Sequence, residues 1–365
     1  MNRINRFWRI SRPGGTLDLS NAGCYFEYLA RSFWFGLRFS LLEGGSRLSP
    51  LISGPVASVA LLVCGFGPLG LFELRGSTTV AITVRPNPLT GLFFPFDNGL
   101  GRGKWLPAEQ AEAAKTLGYD GISYNYVETR PELIDTWRQE LGIRGLQLIA
   151  LYVGIHWPKQ DGARPWESLR EPIRRLRGTN TILWAPIWGR AHTDLDDTVA
   201  VAFLNEIADW CEEAQIKLCL YPHGNSYTNT SEDCLRLARM VGRPHVVGAS
   251  INLHHERIGG NSERLVLLPQ EMKEYLFLVS INGATERGGS ILPLGRGDFD
   301  VYPFVRALYQ VGYAGPIGVQ CFNRGGDIRE NLANDIRVWR EWGERLLREA
   351  PNSRPLYPGS TAESI

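Results

Sequence analysis

The chain has 365 residues, 44% of them hydrophobic and 21% charged, with a formal net charge of +1. That length accommodates one large α/β domain or two ordinary ones, and the composition is that of a soluble globular chain. A near-neutral chain without a basic stripe has no long-range field for a polyanion, so no nucleic acid is expected as a partner.

Residues 1–85 read as an N-terminal extension unlike the rest. Residues 1–47 carry aromatics and arginines without a sustained period of 2 or 3.6. Residues 48–72 contain no charged side chain, and residues 56–64 form an apolar run rich in small residues. Three readings stay open: the apolar region of an export signal with an upstream start, a membrane anchor, or a disordered leader. Pro50, Pro55 and Pro68 interrupt the stretch and leave a run short for a spanning helix. Residues 61–64 distantly resemble a lipoprotein cleavage site, with Val63 a poor match before Cys64. Export, with or without a lipid tether, and a cytoplasmic location are therefore both open. Cys24, Cys64, Cys211, Cys219, Cys234 and Cys321 are scattered without a CxxC pair. They read as buried thiols rather than a disulfide framework or a zinc knuckle.

From Gly91 the pattern becomes regular. Strand-like runs occupy residues 92–96, 121–126, 146–153, 181–187, 216–221, 246–251, 276–281 and 316–321. A helix-like segment follows each one: 107–117, 131–141, 165–177, 196–215, 230–241, 264–274, 300–311 and 328–349. Pro107 and Pro303 sit near helix starts, and Gly118, Gly142, Gly242 and Gly312 end helices before new strands. Strict alternation over about 260 residues predicts an α/β chain folded as a (β/α)8 TIM barrel. The expected bounds are 86–350 for the barrel and 351–365 for a flexible Pro/Ser/Gly-rich tail. A doubly wound open sheet is the rival, but no Gly-rich dinucleotide or phosphate loop follows an early strand.

In a barrel, chemistry collects where the strands end. In chain order those ends carry Asp97 and Asn98, then Tyr124, Asn125, Tyr126 and Glu128, then His156 and Trp157, then Trp188 and His192. The later ends carry Tyr221, His223 and Asn225, then Asn252, His254, His255 and Glu256, then Ser280 and Asn282, then Gln320, Phe322 and Asn323. Amides donate and accept at once, so Asn225, Asn252, Asn282 and Gln320 suit the vicinal hydroxyls of a carbohydrate. Tyr124, Tyr126, Trp157, Trp188 and Phe322 are candidates for the apolar walls of such a pocket, with core packing as the commoner use of a tryptophan. Asp97 and His156 join the expected substrate contacts. Arg296, between two glycines, either grips a phosphate or sugar acid or is a surface charge in a turn.

From about Phe93 to the end of the last helix, the chain resembles the xylose-isomerase-like barrel superfamily of sugar isomerases and epimerases. The segments that carry the resemblance are Leu117-Gly-Tyr-Asp-Gly-Ile122, Asn252-x-x-His255, Leu294-Gly-Arg-Gly-Asp-Phe-Asp300 and Leu308-Tyr-Gln-Val-Gly-Tyr-Ala-Gly-Pro-Ile317. The resemblance implies one divalent cation held by a mid-barrel Glu, an Asp-x-x-His pair, a His on the seventh strand and a Glu on the eighth. It also implies proton transfer between adjacent sugar carbons. This chain has Tyr221, Asn252, Ser280 and Gln320 where the first Glu, the Asp, the later His and the last Glu are expected, and keeps His255. A hard cation needs anionic oxygen ligands, so a Mg or Mn site is expected to be lost. His223 and His255, helped by Glu256, remain candidates for a softer zinc ion. The cofactor expectation is accordingly none, or a divalent cation (Zn, Mn or Mg).

The resemblance implies a sugar isomerase/epimerase-like protein, with His223 and His255 as acid and base. For His254 the expectation is a structural role: strand alternation would turn it the same way as Asn252, but the family pattern selects His255. Two alternatives stay open. One is a carbohydrate-binding barrel without catalysis, favoured by the neutral residues at the metal positions. The other is a glycoside hydrolase or lyase using Asp97 or Glu128 with Glu256. The expected partner is a small-molecule carbohydrate, with homo-oligomerisation open.

Overall fold

The structure, a computed structural model, describes residues 88–101, 104–126 and 130–349. The extension with its apolar stretch, Cys24, Cys64, Glu128 and the tail from residue 351 lie outside the described residues. Among the described residues, no helix is long and apolar enough to cross a membrane.

Eight parallel strands form the main sheet: β1 (Phe93–Pro95), β2 (Gly121–Asn125), β3 (Gln147–Tyr152), β5 (Ile182–Ala185), β7 (Lys217–Leu220), β8 (Val247–Asn252), β9 (Leu276–Ile281) and β10 (Ile317–Val319). Their order is β1-β10-β9-β8-β7-β5-β3-β2. The two ends of this order approach each other through a Phe96–Ser123 bridge. Aspartates stitch this seam. The Phe93 N–H donates to Asp120 Oδ2 at 2.8 Å and the Asn125 N–H to Asp97 Oδ2 at 3.2 Å. The result is the expected TIM barrel, nearly closed. Two short strands, β4 (Ile155–His156) and β6 (Ile187–Trp188), pair in parallel as a separate two-stranded sheet.

The longer helices are α1 (Pro107–Leu117), α2 (Glu132–Gly142), α4 (Asp197–Ala214), α5 (Ser231–Val241), α8 (Tyr302–Gln310) and α9 (Ile328–Glu349). Local chemistry starts and stops them. Thr230 and Asp233 exchange side-chain and backbone hydrogen bonds at the head of α5, and Gly242 ends it at φ 73°. The segment expected at 165–177 is helical over residues 165–175, as a 3-10 helix (Pro165–Leu169) that runs directly into α3 (Arg170–Arg175). The single helix expected over 264–274 is replaced by a 3-10 turn (Ser262–Arg264) and the short α7 (Leu268–Glu271). Pro269 is the physical reason: lacking an N–H, it suits a first turn and not a helix interior. A short helix not foreseen, α6 (Leu253–Ile258), starts directly from the end of β8.

Strand parity, shifted by one residue at an irregularity in β3, separates two cores. Phe94, Phe96, Ala150, Ile182, Trp184, Cys219, Tyr221 and Leu278 fill the barrel interior, while Ile122, Leu148, Leu183, Leu218, Leu220, Ile251, Val279 and Ile317 pack outward against the helices. The interior is aromatic and close-packed. A Cβ on Gly318 would lie 2.6 Å from Phe94 Cζ, so glycine there makes room for the ring. Trp184 is fully buried and donates its indole N–H to Ser250 Oγ at 2.9 Å. This packed column ends upward at Tyr221, and the polar site begins there.

Candidate functional site

Alternation carries the inward face of each strand past its end. Cys219 and Tyr221 line the interior, and the same parity brings His223 over them, where its ring stands 6.0 Å from that of Tyr221. Ser250 and Asn252 lead inward from β8, Ser280 and Asn282 from β9, Gly318 and Gln320 from β10. Above them lies a cavity of about 390 Å³. Its polar lining includes Asp97, Asn98, Ser123, Asn125, Tyr152, Tyr221, His223, Asn225, His254, His255 and Gln320, and its apolar lining includes Phe96, Ile258, Ile291 and Phe322. That volume suits a small molecule.

The two rings expected to act together do meet. His223 and His255 lie with ring centroids 4.2 Å apart and planes 40° from parallel. Gly224 fixes the proton on each. Its carbonyl pairs with His223 Nδ1 at 2.8 Å, so that nitrogen carries the hydrogen. Its N–H donates to His255 Nδ1 at 3.3 Å, so that nitrogen is bare. In the neutral rings the remaining nitrogens are therefore opposite in kind: His223 Nε2 offers a lone pair and His255 Nε2 carries a hydrogen. Trp188 backs the first ring edge-on at 4.8 Å. Burial holds His223 below the ordinary histidine pKa, against its bond to the Gly224 carbonyl. Burial, with His223 and His254 beside it, takes His255 down to about 2.

This depression has a consequence for stability. His255 is 7% exposed and stays neutral in the folded chain, whereas the unfolded chain takes up its proton near the ordinary value of 6.5. Below that value the unfolded state gains a proton that the folded state refuses, so stability falls as the pH falls. Between about pH 7 and about pH 5 this group alone is expected to cost about 2 kcal/mol. Denaturant unfolding at the two values checks it: His255→Gln should flatten the loss by that amount relative to the unchanged chain.

The centre of the floor is a phenol. Asn252 Nδ2 donates to Tyr221 Oη at 2.5 Å and Gln320 Nε2 donates to the same oxygen at 3.4 Å. The amide oxygens are engaged elsewhere: Asn252 Oδ1 accepts the His255 N–H at 3.1 Å, and Gln320 Oε1 the Cys321 N–H at 3.0 Å. Where the sequence resemblance expects an anionic cage, the site presents N–H groups and a neutral hydroxyl. These residues do not fit a hard divalent cation. They do not assemble a zinc site either. Glu256, the third candidate ligand, accepts from the Ser231 N–H and Oγ, each at 2.6 Å, and from Asn261 Nδ2 at 2.9 Å. It anchors the head of α5 and does not line the cavity, which also removes it from the carboxylate pair of the hydrolase reading. Asp97 is the one carboxylate among the described lining residues.

Of the other expected contacts, Asp97, Asn225 and Gln320 line the cavity. Asn252 lies just beneath it, holding Tyr221 and His255 in place. Asn282 is fully buried, with Nδ2 turned to the Gly283 carbonyl at 2.8 Å. Tyr124 is a correction: it is an outward residue of β2 and packs on Trp137 of α2 at 5.4 Å. His156 is another, because β4 places it beside Trp157, Lys159 and Arg190 on a separate open groove of about 1090 Å³. Trp188 is a support for His223 rather than a lining residue. Arg296 stands exposed in its turn and outside the cavity. His254 is a further correction: it lines the cavity on the side that strand alternation gives it, and α6, which begins at Leu253, brings His255 to the same cavity. Tyr152, Ser123 and Asn125 also line it; counting by two from inward Ala150 reaches Tyr152, and Ser123 and Asn125 are the residues that alternate with outward Ile122 and Tyr124.

The sequence profile of the xylose isomerase-like TIM barrel family matches residues 111–342. No curated protein matches the sequence. A solved D-allulose 3-epimerase from Methylomonas sp. superposes with a TM-score of 0.57 at 18% identity, covering 70% of this chain and 99% of that one. An L-ribulose 3-epimerase gives 0.58 at 17%, covering 73% of this chain and all of the other (100%). A fusion of a xylose isomerase-like TIM barrel with a 4-hydroxyphenylpyruvate dioxygenase gives 0.55 at 18%, covering 74% of this chain. This chain spans 46% of the length of that fusion. At these identities the likeness is one of fold.

Proposed function

The chain belongs to the xylose isomerase-like TIM barrel family, and from that premise we propose a sugar isomerase/epimerase-like enzyme working in the cavity above Tyr221. The observation that carries the reading is the His223–His255 pair, one nitrogen bare and one protonated, in a polar cavity at the strand ends. The epimerase activities named for the structural neighbours are consistent with such a site. A carbohydrate with a carbonyl group binds with its hydroxyls on Asn98, Asn125, Asn225 and Gln320. His223 Nε2 takes a proton from the carbon beside the carbonyl. The C–H electron pair becomes the C=C bond of an enediolate and the carbonyl pair settles on oxygen. Return of the proton to the neighbouring carbon, with the hydroxyl proton passing to the former carbonyl oxygen, gives the isomer. His255 Nε2–H donates to an oxygen of the sugar throughout.

A panel of ketoses and aldoses incubated in D2O, followed by NMR, tests this reading. The expected result is deuterium appearing at the carbon next to the carbonyl for at least one sugar, undiminished by EDTA because no step uses a cation. A second reading, binding without turnover, is favoured by the depressed basicity of both rings. A panel with no exchange, in which a sugar still raises the melting temperature, selects that reading; no exchange and no binding ends both.

A further inference from the structure

We propose that the Tyr221 hydroxyl donates to the carbonyl oxygen of the bound sugar and supplies the electrophilic contact for which the donor set at the barrel floor holds no cation. The inference rests on the function proposed above and names the group that meets the developing charge. Tyr221 is 2% exposed, sits at the top of the aromatic column and lines the cavity. Its oxygen has two lone pairs, and two amide N–H groups point at it, from Asn252 and Gln320. Neither amide oxygen takes the phenol proton in return, since those oxygens face the N–H groups of His255 and Cys321. Among the described residues no acceptor receives it. A buried O–H with its acceptor capacity filled and its proton unmatched is directed at something that is not protein.

Chemistry supports the same assignment. Burial raises the phenol well above its ordinary pKa, so it keeps its proton at any working pH and remains a donor. Two N–H groups on its oxygen withdraw charge and strengthen donation. As the C–H proton passes to His223 Nε2, the carbonyl oxygen gains the displaced electron pair, and the Tyr221 O–H holds that charge without itself ionising. The reverse step returns the pair to the carbonyl bond. No oxidant, reductant or co-reactant enters. His255, 5.6 Å from the tyrosine ring, is placed for the neighbouring oxygen.

Tyr221→Phe keeps the ring in the column and removes only the hydroxyl. The expected result is a fall of about 100-fold in kcat for deuterium exchange with KM within about threefold, the pattern of a donor used in the transition state. A purely structural tyrosine would move KM and melting temperature together instead. A folded Tyr221→Phe that keeps exchange within about threefold overturns the inference and leaves the proposed function standing. The infrared carbonyl stretch of carbonyl-13C-labelled ketoses bound to the unchanged protein gives a second measurement, which applies even if the variant fails to fold. It should shift to lower frequency on binding, and a sugar that binds with no shift overturns the inference. If no sugar binds or exchanges, the proposed function fails first and this assignment with it.

Discussion

His223→Asn is expected to lower carbon-bound proton exchange about a thousandfold with little change in fold. General base catalysis contributes roughly 100- to 10,000-fold, and this ring carries the one bare ring nitrogen that its hydrogen bonds leave unused in the pair. Asparagine can still donate to the Gly224 carbonyl, so the turn after β7 keeps its anchor, but an amide nitrogen has no basic lone pair. His223 is only half-buried, which keeps the packing loss small. The pH profile of exchange by the unchanged protein supplies an independent check. Burial lowers the pKa of His223, so the base remains unprotonated below the ordinary value of 6.5. Activity should hold as the pH drops through 6.5 and fall only at lower pH. An acidic limb at or above 6.5 would contradict the assignment, as would a His223→Asn variant with near-normal exchange.

The barrel was legible because its signals are local and repeated. Eight apolar runs alternate with caps and glycine stops, and each needs only a few residues to declare itself. The site was legible where parity could be counted. His223 follows Tyr221 and Cys219 at spacing two, and Asn252 follows Ser250. Tyr124 was misplaced because a polar aromatic near a strand end attracts a functional reading, whereas Asn125 is the residue that faces inward. Alternation from Asn252 already points His254 inward, and the family pattern hid it; Glu256 departs from alternation because the strand stops at Asn252 and a helix begins at once, turning successive side chains about 100° apart instead of opposite. The local sign of that change is Asn252 itself, an N-cap residue whose Oδ1 accepts the His255 N–H. The replaced metal positions could be found by comparing residue types, but the donor-rich phenol that stands there needed three dimensions. Asn252 and Gln320 are 68 residues apart in sequence and converge on one oxygen only in the closed barrel.

Asp335→Asn is expected to destabilise the barrel by about 3–5 kcal/mol, the cost of breaking a buried ion pair from one side. Asp335 on α9 is fully buried, with Oδ2 receiving Arg324 Nη1 at 2.5 Å and Oδ1 receiving the Leu294 N–H at 2.7 Å. The arginine side chain is 5% exposed. Asparagine fits the same space but leaves that guanidinium buried without a counter-charge, and turning its amide either way costs one of the two bonds. At about 2–4 °C per kcal/mol for a domain of this size, the melting temperature should drop on the order of 10 °C. The pair is not itself a source of net stability, because each charge was costly to desolvate. The double variant Arg324→Met with Asp335→Leu should therefore recover much of the loss, and calorimetry of the single and double variants checks both claims. The double variant should not recover function as fully. Arg324 Nη2 also donates to the Gln320 carbonyl at 2.7 Å, and the Gln320 side chain donates to the Tyr221 hydroxyl oxygen. A double variant with restored stability and reduced exchange would place the ion pair as a positioning element for the floor of the cavity. Restored stability with unchanged exchange would confine its role to holding α9 against the loops.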